Sequence, residues 1–88
     1  MISIDDIIGM SGLSEAEVDA LAEHEHIPET AAAALGAYLL HQSHGAERIA
    51  AMIRDDIRAA LARNDRAHAR ELFSALRHFL AVHAPGMR

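Results

Sequence analysis

Apolar residues in this chain recur at three- and four-residue spacings, with no strand-like alternation, and polar breaks divide them into five segments. The first is short. Ser3 is placed to cap a helix over Ile4 to Gly9, Asp6 falls in the capping-box position, and "MSG" then breaks the run. The second start is clearer. Ser14 is the N-cap, Glu17 follows three residues on, Leu13 can staple to Val18, and the helix is expected to run to about His26. Pro28 disfavours a helical Ile27 and suits the first turn of a third helix, from about Pro28 to His41.

That third segment is apolar nearly all round: Ala31 to Ala34, Leu35, Gly36, Ala37, Tyr38, Leu39 and Leu40. Such a helix is expected to be central and buried. Gly36, set among alanines, would let another backbone approach closely, at a propensity cost of ~1 kcal/mol relative to alanine. "QSHG" breaks the pattern, with Ser43 as the expected cap and Glu47 in the first turn, where the helix dipole favours it. A fourth helix, about His44 to Arg63, presents Ala46, Ile49, Ile53, Ile57 and Ala60 on one face, with Met52 and Leu61 beside them. Asn64 ends it and Asp65 caps a fifth, about Arg66 to Ala84. That helix aligns Ala69, Leu72, Phe73, Leu76, Phe79, Leu80 and His83 before "APG" stops it.

The expected fold is therefore all-α, a small bundle of about five helices in one domain. Residues 1–27 form short acidic helices, 28–42 a buried central helix, 43–84 a helical hairpin closed by the tight "RND" turn, and 85–88 a tail. Alanine-rich composition agrees with this reading, since alanine is the strongest helix former. At 88 residues a chain buries only about 60–65% of its unfolded surface, so association with a partner or a second copy would add useful burial.

The charge is unevenly placed. Residues 1–43 carry eight carboxylates and neither lysine nor arginine, while residues 44–88 carry five carboxylates and all eight arginines. The two halves should attract each other, within one molecule or between two. Lysine-free, arginine-only usage points to a GC-rich bacterial genome. No cysteine is present, so disulfides and thiolate metal sites are excluded. No apolar run approaches the ~18–20 residues of a membrane span, and "MISIDDIIGM" lacks the basic residues of a secretory leader. A cytoplasmic setting without membrane attachment is the expectation.

The candidate chemistry lies in histidines and carboxylates, above all in "EHEHIPET", residues 23–30. Residues two apart lie ~200° apart around a helix, so His24 and His26 cannot chelate one ion while both are helical. Glu23 and His26 are three apart and can share a face. That is one Glu-x-x-His unit, and a carboxylate-bridged di-iron bundle needs a second, which is missing because Ser74 stands three residues after Glu71. His41 and His44 bracket the "QSHG" break, with Glu47 one step further. Glu23, His26, His41, His44 and Glu47 are thus the candidate ligands for a divalent metal; no other cofactor is indicated.

The structural reading of the same acids is ion pairing. Glu25 lies close to the Val18, Leu21 and Ala22 side, and an arginine of the last two helices is its expected partner. Asp56, beside Ile53, Ala60 and Arg63, is the next expected pair. The remaining arginines should meet the acidic half. His78 points away from the apolar stripe and is expected to be solvated, whereas His68 lies at its edge and His83 on it.

No phosphate-binding glycine loop and no nucleophile motif occurs, so catalysis is not expected. Residues 13–40 imitate a helix-turn-helix. Its second helix, however, offers alanine and leucine where a recognition helix needs polar and basic residues, so nucleic-acid binding is disfavoured. The leading expectation is a non-catalytic interaction or regulatory module that self-associates, as a homodimer, through Leu35, Gly36, Tyr38, Leu39 and Leu40. The alternatives are a metal-binding bundle and an acidic decoy for a basic nucleic-acid-binding protein.

Overall fold

The computed structural model describes residues 2–84 and contains five α-helices. They are α1 (Ile4–Ser11), α2 (Glu15–Glu25), α3 (Glu29–Leu40), α4 (Gly45–Ala62) and α5 (Arg66–His83). The expected tail, 85–88, lies outside the described residues.

Local chemistry explains where these helices start. At both Ser3 and Ser14 the hydroxyl accepts the amide three residues on. The acid at that position, Asp6 or Glu17, accepts the serine's own amide in return, completing two capping boxes. Asp65 caps α5 by accepting the His68 amide. Pro28 stands one position before α3, as its N-cap, and not in its first turn. Helix α4 does not use Ser43; His44 is its N-cap, in a left-handed conformation and without a side-chain cap bond. His26 at the end of α2 and Asn64 in the hairpin turn are also left-handed, which reverses the chain sharply at each point.

Helices α4 and α5 form the expected antiparallel hairpin and share the most extensive contact in the molecule. Helix α2 lies across one flank of this hairpin and touches both helices. Helix α3 packs against α1, α2 and α4. The core is built from Ile8, Val18, Leu21, Leu39, Ile49, Ile53, Leu72, Leu76 and Phe79.

The molecule measures 40 × 32 × 18 Å. Its short dimension is about two helix diameters, so each helix has neighbours on one side and solvent on the other. This corrects the expectation that α3 is buried all round. Ala32, Ala33, Gly36 and Leu39 are buried, while Ala31, Ala34 and Tyr38 face water.

Two glycines exchange roles for a similar reason. A Cβ at Gly36 would strike the Leu13 side chain, so Gly36 admits a side chain and not a second backbone. The close backbone approach is at Gly45, where a Cβ would land on the Leu39 carbonyl. Gly45 is thus what lets α4 begin directly against the end of α3.

Candidate functional site

The expected metal ligands are not brought together. Glu23 hydrogen-bonds His68 of α5 at 2.5 Å. His26 is exposed, and its backbone serves as the left-handed cap of α2, its amide bonding the Ala22 carbonyl. His41 Nδ1 donates to the Ala37 carbonyl at 2.7 Å, which spends that nitrogen on the helix end. His44 Nδ1 lies 3.1 Å from Glu47, both on the surface. Among the described residues no group of three or more histidine and acidic side chains is placed to hold a metal ion. The physical reason is the chain reversals. His44 and Glu47 stay together, whereas His26 and His41 end at separate helix termini, each with its own bond to that helix end.

Among the described residues the expected arginine partners of Glu25 and Asp56 are also absent. Glu25, in the last turn of α2, stays exposed and takes His24 Nδ1 at 2.9 Å. Arg63 sits at the hairpin turn, where Asp65 is the nearest carboxylate, at 3.9 Å. Asp56 is left half-buried with a buried, unpartnered Oδ2; burial is the main cause that pushes its carboxyl above the ordinary aspartate value.

Among the described residues the side-chain hydrogen bonds between the two halves are made instead by imidazoles. His68 and His78, both on α5, reach Glu23 and Glu17 on α2, each at 2.5 Å. The Glu17 side chain is only 1% exposed. One carboxylate oxygen accepts the Ser14 amide and the other bonds His78 Nδ1, so this buried acid has both oxygens engaged. His68 also lies 3.8 Å from Glu71. The hydrogen bond that the His68 imidazole donates to Glu23 is the largest influence holding it above its ordinary value, against a lowering by burial. His78 is exposed, as expected, and its Nδ1 at the same time clasps the buried Glu17 of the acidic half.

The expected self-association face is partly used up. Gly36 and Leu39 belong to the protomer's own interior, Leu35 and Leu40 are half-buried, and only Tyr38 stands out, at 60% exposure.

The exposed apolar surface that does stand together lies elsewhere, on the flank of the hairpin opposite α2. Phe73, expected on the inner stripe of α5, is 54% exposed, and Leu61 of α4 is 52% exposed. Helix α5 instead turns Ala69, Leu72, Ala75, Leu76 and Phe79 inward. That rotation seats Ala75 beneath α2 and swings Phe73 out on the other side. The result is an open groove of about 350 Å³ between the two helices, lined by Ile57, Leu61, Arg66, Ala69, Arg70 and Phe73. It adjoins a second hollow of about 220 Å³ with which it shares Ile57 and Phe73, and which adds Arg54, Arg58 and Leu76.

No carboxylate lines either hollow. Of the four rim arginines, Arg58 holds Asp55 at 3.5 Å on the surface, while Arg54, Arg66 and Arg70 have no carboxylate within 4 Å among the described residues. Sequence reasoning missed this groove. Its signal was a stripe on the two long helices wider than one covering helix can use: Leu61 flanked one stripe, and Phe73 extended the other.

No family model matches the chain, nor does any curated protein or solved structure in the comparisons made. No described helix is long and apolar enough to cross a membrane.

Proposed function

We propose that the protein is a non-catalytic interaction module whose working surface is the open flank of the α4–α5 hairpin. One observation carries this reading. Two large apolar side chains more than half exposed, Leu61 and Phe73, border one open groove that no helix among the described residues covers. A protein this small gains stability by burying such residues, and a sizeable exposed apolar surface rimmed by polar groups is how interaction sites present themselves. The histidine–carboxylate contacts between α2 and α5 fit a scaffolding role, because they close the opposite flank and hold the hairpin from behind.

The test is site-specific photo-crosslinking in the native host. A photoreactive phenylalanine analogue replaces Phe73 in one strain and the exposed Val82, outside the groove, in another. A discrete adduct at position 73 that is absent at position 82 is the expected result. Absence of any adduct at 73, or the same adducts at both positions, would overturn the proposal.

A further inference from the structure

The charge around the groove says what kind of chain fills it. We infer that its occupant is an acidic amphipathic helix of a partner protein, about three turns long. This deepens the reading of the hairpin flank as the working surface and rests on it.

The groove and the adjoining hollow span α5 from Arg66 to Leu76. At 1.5 Å per residue this is about 15 Å, the length of roughly ten helical residues. The floor is apolar along this length, with Ile57, Ala69, Phe73 and Leu76. A helix laid in such a trough contributes apolar anchors at i, i+3 or i+4, and i+7. Both ends of the rim are cationic, Arg54 and Arg58 bordering the smaller hollow and Arg66 and Arg70 the larger. Carboxylates on the two flanks of the incoming helix would meet them, whereas lysines would face four positive charges across a short gap.

The same argument sets aside a second copy placed symmetrically. A two-fold pairing applies one patch to itself and would set arginine rim against arginine rim. Nucleic acid would satisfy the arginines but not the apolar floor, which offers a single aromatic ring to stack on.

The full-length protein is titrated, with fluorescence anisotropy as the readout, against three labelled probes. The first is a twelve-residue helical peptide with leucine anchors and flanking glutamates. The second is the same peptide with lysine for each glutamate, and the third is a single-stranded twelve-nucleotide DNA. The acidic peptide should bind about tenfold or more tightly than the lysine peptide, several exposed charge pairs summing to that ratio. Phe73→Ser should weaken it about tenfold with the fold retained by circular dichroism. The double reversal Arg66→Glu and Arg70→Glu should exchange the preference between the two peptides. Equal binding of both peptides, binding of neither, or tighter binding of the DNA would overturn the inference. So would sedimentation showing a wild-type dimer that Phe73→Ser dissociates, which would make a second copy the occupant. These failures leave the crosslinking result at position 73 standing, so the two readings fall separately.

Discussion

The imidazole of His78 hydrogen-bonds Glu17 across 61 positions of chain, and Glu17 is at the same moment the capping-box acid of α2. One buried carboxylate thus starts a helix and fastens it to the hairpin. His78→Ala would leave Glu17 Oε2 buried without a partner. The expected loss is about 1–3 kcal/mol, the penalty for an unsatisfied buried acceptor. In a Glu17→Ala background the same change should cost far less. Urea unfolding of the two singles and the double variant checks both statements.

His68 gives stability a dependence on pH. Its folded pKa lies above the ordinary histidine value, chiefly because of the Glu23 hydrogen bond, with Asp65 and Glu71 adding to it. The folded state therefore holds the proton more tightly than the unfolded chain. The stabilisation is complete below about pH 6.5 and fades as pH climbs through the raised folded value. Unfolding free energy should fall as pH rises above about 6.5, and His68→Gln should flatten part of that slope. An unchanged slope in the variant would remove His68 from the account.

Asp56 and Glu29 act in the same sense at more acidic pH. Burial raises the Asp56 carboxyl, and the Asp19 carboxylate is the first cause of the rise at Glu29. A carboxyl raised on folding disfavours the folded state where it is ionised and ceases to do so as pH falls through its raised value. Asp56→Ala removes the unpartnered oxygen and gains helix propensity, so it should stabilise the protein at pH 7 by about 1 kcal/mol. Thermal melts at pH 7 and pH 4 should show the benefit shrinking at the lower pH.

Gly45→Ala and Gly36→Ala separate the two close approaches. At Gly45 the added Cβ meets a backbone carbonyl, which cannot move without shifting a helix end. A loss of at least about 2 kcal/mol is expected from overpacking. At Gly36 the obstacle is the end of the Leu13 side chain, and the propensity gain of about 1 kcal/mol offsets part of the clash. Chemical denaturation should rank Gly45→Ala as the more damaging by a clear margin.

His26 holds a left-handed conformation, with φ 56°, that costs a non-glycine residue about 1 kcal/mol. His26→Gly should raise the unfolding midpoint. A drop would show that the imidazole makes an interaction worth more than the backbone strain.

Much of the fold was legible because its signals are local. Ser3, Ser14 and Asp65 mark helix starts through bonds spanning three residues, and the 3.6-residue period exposes the inner faces of α4 and α5. The rotation of α5 under α2 was not legible. Ala75 is small enough to lie against α2, and a modest turn of the helix about its axis decides whether Phe73 is core or surface. The candidate ligands misled for a related reason. Sequence proximity of His26, His41 and His44 to carboxylates reflects their place at chain reversals, where two left-handed residues and one carbonyl bond account for them. The long-range partners Glu23–His68 and Glu17–His78 depend on the tertiary arrangement alone.

Every side chain of the groove comes from residues 54–76, a single stretch reversed by the turn at Asn64. Contacts this near in sequence close quickly, because little loop entropy is lost in forming them. The groove is thus a product of the earliest-forming kind of structure, contacts between neighbouring segments of one hairpin.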